Sequence, residues 1–161
     1  MSDKTVDYKT ILAQASALTV DEPDTLANLA NLSAILFESL HSVNWAGFYL
    51  LRDEELVLGP FQGKSACVRI PVGRGVCGSA VANRRIERVD DVHQFDGHIA
   101  CDAASLSEIV LPIYQNGEIA GVLDIDSPIL ARFTAEDEDG LIGFADLASE
   151  FISRDPRSIG L

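Results

Sequence analysis

The chain has 161 residues, 47% of them hydrophobic and 23% charged, and its 12 Lys+Arg against 25 Asp+Glu give a net charge of -13. That length suits one compact core built without disulfides or metals, and the composition excludes a disordered chain. The negative field excludes phosphate-backbone partners such as nucleic acid and opposes binding to anionic lipid.

The amino terminus, MSDKTVDYKT, is polar and lacks the apolar core of a secretory signal, and no run of about 18 apolar residues occurs. A cytoplasmic protein with no membrane partner is the expectation. Ile11, Leu12, Ala15 and Leu18, then Leu26, Leu29, Leu36 and Leu40, recur at helical spacing and predict two amphipathic helices over about 8–40. VNWAGFYLL (43–51) reads as a buried strand, RDEE as a turn, and LVLGPFQG as a returning strand that its glycines and proline break early. ACVRIPV (66–72) alternates as a strand, GRGVCGSAVANR as a glycine turn feeding a short helix, and IERVDDV as a brief strand.

Residues 93–107 show neither period and form a long loop, a length that in compact domains usually serves function. EIVLPIYQ, then Asn-Gly, then EIAGVLDID is a hairpin signal, because Asn-Gly suits the left-handed angles of a two-residue turn. Thr134 and Asp137 form a capping box ahead of Leu141, Ala145, Ala148 and Ile152, predicting a last helix over about 135–154. Antiparallel hairpins between terminal helices make an α+β fold with the helices packed against the sheet, and sheet and loops over about 43–127 are left to form the site.

Three cysteines, Cys67, Cys77 and Cys101, are too few and too odd in number for a secreted disulfide framework. Packing residues, metal ligands and catalytic thiols are the options. By position Cys67 falls on a strand, Cys77 on a glycine turn and Cys101 on the long loop, where Gly97, His98, Asp102 and Ser105 make its surroundings polar. A lone cysteine is by default a small buried hydrophobe, but a polar loop favours a reactive thiol. A zinc site would need His98 and Cys101 with Cys67 or Cys77; no C-x-x-C pair supports it, and the expectation is no metal.

In VLDIDS, Asp124 and Asp126 are two apart and share one strand face, and Glu108 opens the partner strand. A solvated strand end is the plain reading. Next to buried positions at a sheet edge, however, grouped carboxylates attract an ammonium and raise one another's pKa, so that one can hold a proton. Trp45 and Tyr49, four apart, share a face opposite Phe48 and serve either as core or as the wall of a slot.

NWAGFYL, LVLGPFQGKSACVRIPVGRGVCGSA, GHIACD, SEIVLPI and GVLDIDS resemble the free methionine-(R)-sulfoxide reductase family, built on a GAF domain, over nearly the whole chain from the second helix onward. The resemblance implies a single GAF-like domain over 1–161. It implies Cys101 as the nucleophile on the sulfoxide sulfur, Cys67 as the resolving thiol and Cys77 as an auxiliary thiol. It further implies that Glu108, Asp124 and Asp126 bind and protonate the substrate while Trp45 and Tyr49 enclose its methyl group. No bound cofactor is implied; the partners are free methionine-R-sulfoxide and an external thiol reductant such as thioredoxin, with a homodimer paired through helices left open. FDGH stands where the family has FPGH, so Asp96 replaces a proline and loosens the loop. A small-molecule-sensing GAF module without catalysis is the alternative.

Overall fold

A computed structural model of the chain describes residues 5–97, 99 and 104–154. Cys101, with its neighbours His98 and Asp102, lies outside the described residues. Helices α1 (Tyr8–Thr19) and α2 (Thr25–Ser39) lead into strands β1 (Trp45–Arg52) and β2 (Glu55–Gly63), followed by β3 (Arg69–Pro71), helix α3 (Gly75–Asn83) and β4 (Glu87–Val89). A single 3-10 turn (Val92–Gln94) precedes the hairpin of β5 (Ser107–Gln115) and β6 (Glu118–Ser127), and α4 (Ala135–Arg154) closes the fold.

The helices begin where side chains take up free backbone N–H groups. Asp7 accepts from Thr10 N and Asp24 from Ala27 N. At α4 the box is reciprocal: Asp137 N donates to Thr134 Oγ1, and Thr134 N donates to Asp137 Oδ2. In the β5–β6 turn, Asn116 and Gly117 both take positive φ, 53° and 79°, as a tight hairpin requires.

The six strands form one antiparallel sheet in the order β3-β2-β1-β6-β5-β4. Because side chains alternate along a strand, the sheet has two distinct faces. Ala46, Phe48 and Leu50 of β1, Ile109, Leu111 and Ile113 of β5, and Leu123 and Ile125 of β6 meet α1, α2 and α4 in the main core. Trp45, Tyr49, Val110 and Val122 point the other way, toward α3 and a second, smaller core with Ile70, Val76, Cys77 and Ala80. Among the described residues, no helix is long and apolar enough to cross a membrane.

Several local readings of the sequence are corrected. Strand β2 does not break at Gly59-Pro60; the pair is absorbed as a bulge opposite Phe48, where proline's missing N–H costs no ladder bond. Leu18 and Leu26 are 56% and 59% exposed, because α1 and α2 turn Ala15, Leu29, Leu32 and Leu36 inward instead. Cys67 lies in the coil between β2 and β3, since only Arg69–Pro71 pairs as a strand. Cys77 lies in the first turn of α3, not on the glycine turn before it. Asp124 and Asp126 sit not at a sheet edge but on β6, which is flanked by β1 and β5.

Candidate active site

The second face of the sheet carries the candidate site. Cross-strand register sets Asp126 opposite both Trp45 and Glu108, and Asp124 opposite Gly47 and Val110. Strand parity therefore puts Trp45, Tyr49, Glu108, Asp124 and Asp126 on one surface; spacing predicts the Trp45–Tyr49 and Asp124–Asp126 pairs, whereas Glu108 joins them through the register shift between Ile113 and Tyr114. Helix α3 covers that surface, and Cys77 in its first turn donates to Glu108 Oε1 at 3.8 Å.

The wall is aromatic. Trp45 stacks on Tyr49 at 5.8 Å between ring centres and on Phe61 at 5.2 Å. Trp45 Nε1 donates to Lys64 O at 3.1 Å and the Tyr49 hydroxyl to Cys67 O at 2.9 Å. Two rings thus pin the backbone of residues 64–67 beside the site. Burial, followed by the charges of Asp124, Cys77 and the other acids, raises the Tyr49 pKa, so this hydroxyl stays a donor at physiological pH.

The floor is acidic and buried, with Glu108 9% and Asp124 5% exposed. Glu108 is held well above the usual carboxylate range, first by loss of hydration and then by Asp124; Asp124 is raised by burial and by Asp126. Like charges at this spacing cannot all ionise cheaply, so burial and mutual repulsion favour a proton held within the cluster. The Cys77 thiol is pushed up by the same two causes, burial first and the Asp124 charge second, and stays protonated. Cys77 is a free thiol, whereas Cys67 is disulfide-bonded.

A cavity of about 50 Å³ opens between wall and floor, lined by Trp45, Tyr49, Cys77, Glu108, Asp124 and Asp126 among others. The structure thus brings together every site residue predicted from the sequence except two: Cys67, which lies beside the site with its carbonyl held by Tyr49, and Cys101, which lies outside the described residues. Sequence reasoning missed Phe61, Ile70, Val76 and Ile99. Phe61 was detectable only with the β2 bulge known, because the extra residue shifts its parity relative to Trp45. Ile70, Val76 and Ile99 carry no local signal that distinguishes them from core.

A six-stranded antiparallel sheet with terminal helices on one face and a helix-covered cavity on the other is the GAF architecture; the GAF domain family model matches residues 26–153, and the chain belongs to that family. It is 63% identical to the free methionine-R-sulfoxide reductase of Escherichia coli (strain K12) over 139 residues, covering 86% of this chain and 84% of that one. It superposes on the X-ray structure of free methionine-R-sulfoxide reductase from Neisseria meningitidis in complex with its substrate with a TM-score of 0.92 at 43% identity, covering 98% of this chain and 95% of that one. The reduced form of fRMsr of Staphylococcus aureus gives a TM-score of 0.90 at 49% identity, covering 94% and 99%. Within the GAF domains, the chain is thus a member of the free methionine-R-sulfoxide reductases.

Proposed function

We propose that this protein reduces free L-methionine (R)-S-oxide to L-methionine by thiol chemistry, with Cys101 as nucleophile, Cys67 as resolving thiol and thioredoxin or a similar dithiol as reductant. The whole chain, 1–161, acts as one GAF unit. The observation that carries the reading is the buried acid floor of Glu108 and Asp124 beneath the Trp45–Tyr49 wall, inside a family whose named members reduce this substrate.

The chemistry needs a soft nucleophile at sulfur and a proton at the departing oxygen. Cys101 attacks the sulfoxide sulfur as a thiolate while an acid of the floor protonates the oxygen. The oxygen leaves on the cysteine as a sulfenic acid, and methionine is released. The Cys67 thiol then attacks the sulfenic sulfur, a disulfide forms and water departs. Two thiols of the external reductant reopen the disulfide by exchange. Glu108 suits the acid's role, because burial and then the Asp124 charge raise its pKa well above the usual carboxylate range and favour its protonated form.

The floor also explains a preference for the free amino acid. An ammonium among Glu108, Asp124 and Asp126 neutralises charges that the amide of a peptide-bound residue would leave uncompensated. The stacked rings offer the apolar surface that a methyl group requires. Cys77, buried and protonated, serves as a hydrogen-bond donor to Glu108 and an auxiliary thiol.

The test is methionine formation from the separated R and S epimers of free methionine sulfoxide, with dithiothreitol as reductant. Turnover of the free R epimer alone is expected, and binding without turnover would make the protein a sensing module. Cys101→Ser is expected to abolish consumption. Cys67→Ser is expected to complete one stoichiometric turnover and then stall with thioredoxin; unchanged cycling would move the resolving role to Cys77.

A further inference from the structure

Three donors from three elements converge at the bottom of the cavity. Cys77 Sγ from α3, a Glu108 oxygen from β5 and an Asp124 oxygen from β6 all lie within 4.8 Å of one another, and all three residues are buried. The Cys77 Sγ to Glu108 Oε1 separation is 3.8 Å. In a tetrahedral zinc site, Zn–S near 2.3 Å and Zn–O near 2.0–2.2 Å set sulfur and oxygen ligands about 3.5 Å apart. The observed pair is within a few tenths of an ångström of that separation.

A second observation points to a cation. Asp124 Oδ1 is buried without a hydrogen-bond partner, on a residue 5% exposed that lines the cavity. A carboxylate oxygen desolvated in this way is satisfied by a proton, by a substrate ammonium or by a metal ion. One thiolate among the donors disfavours Mg²⁺ and Ca²⁺, which take oxygen, and favours Zn²⁺.

We infer that Cys77, Glu108 and Asp124 form a Zn²⁺ site at the base of the cavity, through which zinc reversibly inhibits the enzyme. The fourth position opens to the cavity and is taken by water. Binding would displace the Cys77 proton, since sulfur ligates as the thiolate. The inhibition rests on the reductase reading, because zinc would occupy the carboxylates assigned there to the ammonium and the proton; the metal site itself does not depend on it.

The experiment uses a Cys67→Ser/Cys101→Ser variant, which leaves Cys77 as the sole thiol, titrated with Zn²⁺ by calorimetry and with Co²⁺ by absorbance. One equivalent is expected, with a thiolate-to-cobalt charge-transfer band. Adding Cys77→Ser is expected to remove the band and weaken Zn²⁺ at least tenfold. Adding Asp124→Asn instead should keep the band and lower the affinity at least tenfold. Oxidised wild-type protein, with Cys67 already bonded, is the second form to be titrated should the variant fold poorly. Absence of binding, or binding with no charge-transfer band, would overturn the site. In wild type, zinc is expected to raise KM for the sulfoxide and a chelator to restore it; an inactive wild type that still gave the cobalt band would sink the reductase reading and leave the metal site standing.

Discussion

The thiol of Cys77 points at Glu108, with Sγ 3.8 Å from Oε1, and both groups are buried. Both also interact with Asp124, and burial first, then the Asp124 charge, raises the pKa of each and favours its protonated form. Cys77 is therefore a poor nucleophile in the folded protein. In the oxidised form, iodoacetamide at pH 7 is expected to leave Cys77 unlabelled until denaturant is added, as read by peptide mass spectrometry. Labelling at the rate of an exposed thiol would mean that the first turn of α3 opens far more readily than its packing implies.

Glu108 trades stability for chemistry. Its folded pKa lies above the ordinary 4.5, so the folded state keeps a proton that the unfolded state loses. Stability therefore falls as pH rises through the window above 4.5. Glu108→Gln removes this penalty, and its Tm at pH 7–8 is expected to exceed that of wild type by a margin that shrinks toward pH 4. Activity is expected to drop by about 10²–10⁴, the usual share of a general acid. Scanning calorimetry across pH, together with the sulfoxide assay, checks both halves.

Asp137 behaves in the opposite sense. Burial raises its pKa, but the Tyr8 hydroxyl, Thr134 N–H and Arg132 together outweigh that and hold it below 3.8. Its contribution is therefore complete above the unfolded value and is lost as pH falls through the folded one. The stability gap between wild type and Asp137→Asn is expected to be constant above about pH 5 and to close below pH 4. Acid titration of both proteins by circular dichroism measures it.

Arg132 shows what that carboxylate protects. Its Nη1 contacts Asp137 Oδ2 at 3.0 Å, with the two side chains 4% and 9% exposed, and its Nε donates to His41 O. Asp137→Ala strands a buried guanidinium and removes the α4 cap, an expected loss of about 3–5 kcal/mol. The double variant Asp137→Ala/Arg132→Met is expected to recover part of it. Urea unfolding of both decides, and a double variant weaker than Asp137→Ala would contradict the ion-pair account.

Gly47 is required by close approach. A Cβ there would run into Cβ of Phe61, the ring that backs Trp45. Gly47→Ala is expected to cost about 1–3 kcal/mol and to raise KM, since the wall must shift to relieve the clash. A variant with wild-type Tm and KM would show that the strand relaxes without moving Trp45.

Which parts were legible from the residues follows from the range of the forces involved. The β5–β6 hairpin rests on period-two alternation and an Asn-Gly turn, and α4 on the Thr134–Asp137 box; both are interactions within a few residues, and both stand as read. The sharing of one face by Trp45 and Tyr49, and by Asp124 and Asp126, also follows from pleat geometry alone. Leu18 and Leu26 were misread because a helix stripe of adequate width leaves its edges undecided until a neighbour covers one side.

By itself the sequence determined the Asn-Gly hairpin turn, the start of α4, the face that Trp45 shares with Tyr49 and the one that Asp124 shares with Asp126, and the kinds of group available for the chemistry. Tertiary structure alone decided that β6 pairs with β1, about 80 residues away in the chain. That pairing turns an apparent strand end into a central strand and removes water from Asp124. It also laid α3 over the acids, so that Cys77 shares their buried environment. Desolvation is a property of everything packed around a group, and no local stretch of chain contains it.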